Sequence, residues 1–428
     1  MNASPRARFF FLCMLAILPR LGFVLFYGPS APPSAWGDDW HYDRIARSVL
    51  SAHRYSDGWF PPGYPLLLSA IYALFGAHVA AVRVVQVCLG AATCGVVYLL
   101  GRRLYDEPVG IVASVLLAFY PSHVYFTWRL MAETTFALML AVTALLAIRL
   151  LTEAPWWRGV LLGISLGFLS LLKSNLFVLP PLLMAWLAAT LRPRSPARLL
   201  VAIVLPFALL IGLVPLANFS SGQGLTAPLP LNAGHTLWWA NNPKANGYFV
   251  MVADSDPQVA SFIRDHGFSD SLKSASRAEK DRIYQRLAVQ WIREHPGAFL
   301  RLAPKKLLNA FSPIPRAAQL ESSGSAALVY AVTYGLLLPF AIYGLVASFR
   351  RVTPAARVVH LILVSYVAMV VVFYGTPRFT LIIIPLLMIF AADALVTTAS
   401  LSVTMPESLR VLLARHSEPM LTSPQDPR

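Results

Sequence analysis

The chain reads as an all-α integral membrane protein, a bundle of about ten transmembrane helices with further helices in loops on the outer (periplasmic) side. Three observations predict this. Its 428 residues are 57% hydrophobic with a mean hydropathy of +0.60. Only 13% are charged, roughly half the share that a soluble enzyme's surface needs. Apolar runs of about 17 to 25 residues, long enough to cross a hydrocarbon core, recur along the chain. The formal charge of +15 would suggest nucleic acid in a soluble domain. Here the arginines cluster between apolar runs, where they orient helices, so nucleic-acid binding is set aside.

The expected spans are approximately 8–28, 79–101, 109–127, 130–150, 157–173, 176–191, 198–218, 326–349, 358–375 and 379–400. The first follows Arg6 and Arg8 as a signal peptide would. Further spans follow it and no small-residue cleavage site is clear, so it reads as a retained anchor. A cytoplasmic N-terminus puts Arg102 and Arg103, Arg149 and Arg158, Arg192, Arg194 and Arg198, Arg350, Arg351 and Arg357, and Arg410 and Arg415 on one side. That is a consistent positive-inside pattern with both termini cytoplasmic. Four segments follow: an N-terminal transmembrane core, 1–219, with a first outer loop at 29–78; an outer helical cap, 220–325; C-terminal transmembrane helices, 326–400; and a cytoplasmic tail, 401–428. In the cap, Ile283, Leu287, Trp291 and Ile292 recur at helical spacing and mark an amphipathic helix. Cys13, Cys88 and Cys94 sit in apolar runs without CxxC spacing, which indicates neither a disulfide framework nor a zinc site.

Polar chemistry concentrates on the outer side. Segment 36–65, WGDDWHYDRIARSVLSAHRYSDGWFPPGYP, is acidic at its front, with Asp39, Tyr42 and Asp43 at spacing that lets them share a helical face. Pro61, Pro62 and Gly63 stop any preceding helix and start the next, which opens with Tyr64. Charged side chains at membrane-helix ends cost free energy and tend to face a cavity. Glu133, just after Arg129, is one such residue; Lys173 in SLLKSNLF and Arg378 in YGTPRFTLIIIP are others. Each has a bland reading beside the functional one. Asp39 caps a helix starting near Trp40, Glu133 bridges to Arg129 at i, i+4, Lys173 snorkels to the interface, and Arg378 anchors there. The run NAGHTLWWANNPKANGYF, with His235 and Asn241, suits a sugar or polar acceptor, or else is loop chemistry with Trp238 and Trp239 as interfacial belt residues. His41, His53 and His123 lack ligand spacing on one helix face; no metal ligand is assigned, no cofactor is required, and divalent-metal dependence is left open.

GDDWHY, then PPGYP with a short apolar helix, a second acid in LMAETTF, the stretch WIREHPGAFLRLAPKKLLNAF, and PRF before the terminal apolar helix together resemble the GT-C glycosyltransferases. The likeness is to the bacterial branch similar to dolichyl-phosphate-mannose protein mannosyltransferases and aminoarabinose transferases, and it spans nearly the whole chain. It implies a GT-C-like bundle that transfers a sugar, with inversion, from a polyprenyl-phosphate donor to a glycan, lipid or protein acceptor outside the cytoplasm of a cell's inner (plasma) membrane. The family's first-loop catalytic acid falls on Asp38, with the second acid on Asp39 and the aromatic on Tyr42; its later acid falls on Glu133. One departure is that Trp59 and Phe60 precede Pro61, where aminoarabinose-type relatives carry an acid and a lysine.

The residue types suit this chemistry. A phosphate leaving group departs without protonation, so one general base suffices. Asp38 is the candidate base, with Asp39 and Glu133 as further catalytic carboxylates. Arg129, Lys173 and Arg378 are candidate donor-phosphate cations, and His41, Tyr42, Tyr64, His235 and Asn241 are candidates for the acceptor or sugar pocket. The alternative of another class is a transporter or flippase of lipid-linked saccharides, which calls for inverted repeats and broken midplane helices.

Overall fold

The computed structural model describes residues 4–404 apart from 36, 54–58, 174–175, 192–195, 221, 223–231, 249–250, 315–323 and 352. Residues 405–428 of the expected tail, and the Arg192, Arg194, Arg410 and Arg415 positions, lie outside the described residues; the first four tail residues, 401–404, continue the last helix. The helices are α1 Pro5–Tyr27, α2 Asp38–Ala52, α3 Gly63–Phe75, α4 Val79–Leu104, α5 Glu107–Ala118, α6 Pro121–Trp128, α7 Glu133–Thr152, α8 Trp156–Leu172, α9 Leu179–Thr190 and α10 Pro196–Ile211. They continue with α11 Leu213–Ser220, α12 Ala233–Ala240, α13 Pro257–Asp265, α14 Ser269–Ser274, α15 Arg277–Glu294, α16 Pro296–Ala310, α17 Gly324–Ser348, α18 Pro354–Val372, α19 Pro377–Thr380 and α20 Ile384–Thr404. Every expected span has a helical counterpart. Among the described residues six helices are long and apolar enough to cross a membrane, and the bent pair α5–α6 makes a seventh; α8, α9 and the apolar part of α20 are shorter.

The bundle core runs through α4, α7, α18 and α20, whose buried Leu, Ile, Val and Ala form one contiguous cluster. The 53° bend between α5 and α6 follows from Pro121, which lacks the N–H that would continue the helix. Carbonyls released there need donors. Arg20, fully buried in α1, donates to Ala118 O at 2.9 Å and Leu117 O at 3.2 Å, a use of Arg that hydrocarbon permits because its charge is met by carbonyl dipoles. On α8, Gly159, Gly163 and Gly167 leave one stripe bare. A Cβ at Gly163 would lie 2.2 Å from Ile203 O, so only glycine admits α10 this closely.

The cap has its own core. Trp238, Val259, Ile263, Ile283, Leu287 and Trp291 are buried together, and Ile292 packs against them. Trp238, 1% exposed, is therefore a core residue and not an interfacial belt residue. α16 fastens the cap to the bundle. Asn309 Nδ2 donates to Gly375 O, Thr380 Oγ1 donates to Ala310 O, and a Cβ at Gly375 would stand 2.3 Å from Lys306 O.

Lys306 is fully buried in this seam, donating to Asn241 Oδ1 at 2.9 Å and Val371 O at 3.0 Å, with its ammonium 5.4 Å from the Phe299 ring centre. Burial, with no charged partner among the described residues, pushes its pKa from the ordinary 10.5 down to about 7. Between those values the folded amine is neutral while the unfolded one is protonated. Unfolding then takes up a proton, so stability rises with pH through this window and is flat below about 7. Thermal unfolding in detergent from about pH 6 to about pH 10 is expected to show that rise, and Lys306→Met to remove it; an unchanged slope in the variant would place the titrating group elsewhere.

Candidate active site

Five helix ends and turns meet around Asp38: the start of α2, the turn before α7, the starts of α7 and α19, and the C-terminus of α8. Gly37, extended at φ −82° and ψ 169°, is the N-cap of α2, so Asp38 and Asp39 both stand in its first turn, where the helix dipole favours carboxylates. Asp39 is thus not the cap, and the two acids have different surroundings.

Asp38 is the most exposed carboxylate of the site, its side chain 36% accessible, and its Oδ2 lies 2.8 Å from Arg378 Nη1. Arg378 turns its Nε to Glu133 Oε1 at 2.6 Å, and Lys173 Nζ donates to the same oxygen at 2.7 Å. Asp38, Glu133, Lys173 and Arg378 therefore form one ion network with two charges of each sign. Burial disfavours the Arg378 charge, but Glu133 and Asp38 outweigh it and hold the guanidinium protonated well above its ordinary range. Glu133 is 2% exposed, and its Oε2 accepts no hydrogen bond among the described residues. The expected bridge between Glu133 and Arg129 does not form. The backbone at Arg129 is extended, φ −73° and ψ 139°, so the two residues do not share a helix and i, i+4 geometry is lost.

Arg129 is directed to Asp39 instead. Its Nε meets Asp39 Oδ2 at 3.2 Å, Nη2 meets Ser34 Oγ at 3.1 Å and Nη1 meets Tyr125 OH at 2.8 Å. Ser34 donates its N–H and its hydroxyl to Asp39, at 3.0 and 2.7 Å. Asp39 and Arg129, with side chains 3% and 6% exposed, are a buried pair that fixes the loop before α2. Asp39 and Arg129 thus bond each other and Ser34, apart from the network around Asp38. Ser34 was missed because a lone serine in a proline-rich loop carries no pattern. Asp43 also leaves the group, since Arg47 and Tyr72 hold it.

Tyr42 and Tyr64 are buried with ring centres 5.0 Å apart, and the Tyr64 hydroxyl donates to Gln86 Oε1 at 2.6 Å. Gln86 in turn donates to Thr127 O and Arg129 O, so this chain of bonds braces the turn that carries Arg129. The His41 ring packs against Trp40 and Phe60. His235 belongs to the cap: its backbone N and ring Nδ1 bond Asp281 Oδ1, and its ring centre lies 4.8 Å from that of Trp59. Asn241 is fully buried, its amide joining Leu237 O, Val372 O and Lys306, so the seam replaces the expected pocket contact. His123 bonds Leu381 O at 3.0 Å, and among the described residues no three of His, Cys, Asp and Glu converge as a metal site would require.

Beside the ion network lies an apolar cavity of about 430 Å³, bounded by α1, α6, α17 and the start of α19. Phe23, Tyr27, Trp128, Val329, Tyr330 and Leu381 line it, and among the described residues Arg378 is its one charged lining residue. Arg378 thus faces Asp38 and Glu133 on one side and an oily hollow on the other.

Residues 60–217 match the family model for dolichyl-phosphate-mannose-protein mannosyltransferase. No curated protein sequence matches the chain. The oligosaccharyltransferase of Archaeoglobus fulgidus in the apo form aligns with a TM-score of 0.51 at 15% identity, over 95% of this chain and 54% of that one. The same enzyme tethered to an acceptor peptide containing the NVT sequon gives 0.50 at 16% identity, over 91% and 49%. ArnT from Cupriavidus metallidurans bound to undecaprenyl phosphate gives 0.41 at 14%, over 95% and 81%. The chain spans about half the length of the archaeal enzyme. What this chain shares with the archaeal enzyme at this identity is the fold, an all-α membrane bundle.

Proposed function

Starting from the GT-C fold and the family match over residues 60–217, we propose that this chain is a membrane glycosyltransferase using a polyprenyl-phosphate-linked sugar as donor. The acceptor is a glycan, lipid or protein, and the reaction takes place on the outer side of a cell's inner membrane, with both termini cytoplasmic. The observation that carries the reading is the double exposure of Arg378, to a carboxylate network and to an apolar cavity that suits an isoprenoid tail.

In this mechanism Asp38 Oδ takes the proton from the acceptor nucleophile as the nucleophile attacks the anomeric carbon. The bond from that carbon to the phosphate oxygen breaks and polyprenyl phosphate leaves with the bonding pair, so a single displacement inverts the centre. Arg378 and Lys173 meet the negative charge that grows on the leaving oxygen. The Oε2 of Glu133, unpartnered among the described residues, suits a sugar hydroxyl. The free network is balanced in charge, so donor phosphate must displace a carboxylate from Arg378, and Asp38, the exposed one, is released as the base. Donor binding thereby precedes activation of the acceptor.

The test is transfer from radiolabelled polyprenyl-phosphate sugars to native membrane extract by the purified protein. No transfer from any donor in the panel would sink the proposal. Arg378→Gln is expected to raise the donor KM by about tenfold or more, since a charge-assisted contact is worth about 1.5–3 kcal/mol. An unchanged KM would remove Arg378 from the donor site.

A further inference from the structure

The end of the bundle away from Asp38 holds a second hollow. The last turns of α4 and α7 carry Arg102, Arg103 and Arg149, and these three residues with Leu99 and Leu145 enclose about 310 Å³. None of the three arginines is in an ion pair among the described residues. The nearby acids are already engaged, Glu107 by Arg8 and Glu153 by Arg158. Arg103 Nη2 donates to Thr152 Oγ1 at 3.1 Å, which ties the two helix ends together and holds its guanidinium at the hollow.

Basic residues at helix C-termini are ordinary, since they complement the dipole and orient the helix. That explains an arginine at each end but not three around one hollow, none of them in an ion pair among the described residues. Two further features specify the counter-charge. Leu99 and Leu145 give the hollow an apolar wall continuous with the bundle. Trp156 and Trp157, 67% and 47% exposed at the start of α8, mark the level at which lipid headgroups lie. An anion with its own apolar part, found at that level, is a phospholipid. A zwitterionic headgroup would bring a cation toward three arginines where the nearby carboxylates, Glu107 and Glu153, are already taken by Arg8 and Arg158. We infer that this hollow binds the phosphate of an anionic phospholipid such as phosphatidylglycerol, on the face opposite the ion network and independently of the reaction proposed there.

The full-length protein would be stripped of lipid by detergent exchange and offered equimolar phosphatidylglycerol and phosphatidylcholine, and its bound lipid read by native mass spectrometry. Phosphatidylglycerol is expected to be enriched about tenfold, and Arg103→Gln with Arg149→Gln to abolish the enrichment. Arg264→Gln, which removes an exposed cap arginine, is expected to leave it intact. Should the double variant fail to fold, Arg149→Gln alone is expected to reduce the enrichment about threefold. Equal retention of the two lipids, or enrichment unchanged in the folded variants, overturns the assignment. So does thermal stabilisation by inorganic phosphate alone that equals that of phosphatidylglycerol, which would make the site one for a free anion.

Discussion

Asp38→Asn is expected to lower sugar transfer by about 10²- to 10⁴-fold, the range typical of a lost general base, while the protein inserts and folds as before. Asn keeps the shape of the side chain and its start-of-helix position. Arg378 keeps its bond to Glu133, so one partner still satisfies the guanidinium. The half-exposed Asp38 contributes little to stability, because an ion pair open to water is worth at most about 1 kcal/mol. Transfer rates measured beside thermal midpoints separate the two effects. Wild-type transfer in a folded Asp38→Asn protein would eliminate the proposed base.

Glu133→Gln is expected to act in the opposite sense, chiefly on stability. Glu133 Oε1, itself buried, receives both Lys173 and Arg378, and removing its charge leaves two cations facing one another. Loss of one partner from a buried ionic network costs about 3–5 kcal/mol. Denaturant or thermal unfolding in detergent measures this. Adding Lys173→Met is expected to recover part of the loss, because the charge is then balanced again. If the two substitutions simply add, Glu133 and Lys173 do not interact as the 2.7 Å contact indicates.

The difference between these carboxylates was invisible in the sequence. GDDWHY presents Asp38 and Asp39 as near equivalents, yet one opens to water and the other is closed by Ser34 and Arg129. Adjacent residues on a helix point about 100° apart, so what each meets depends on which distant segments pack there. Arg129 illustrates the same limit: a cation close to Glu133 in sequence is drawn to Asp39, ninety positions away, because the chain turns between Arg129 and the start of α7. Asn241 looked like a polar pocket residue, and only the docking of α16 against the end of α18 shows that its amide is internal.

Composition and periodicity alone determined that the chain is a helical membrane bundle, where its apolar runs lie, and which charged residues fall at their ends. Those properties follow from the thickness of hydrocarbon and from the cost of bare backbone and charge within it, both of which act locally. Tertiary structure decided which charges share a partner. It brought Asp38, Glu133, Lys173 and Arg378 from four separate segments into one network, set Asp39 and Arg129 apart from it, and placed Arg378 beside an apolar cavity. The physical reason is that an ion pair depends on separation in space, which packing between remote helices fixes and spacing along the chain does not.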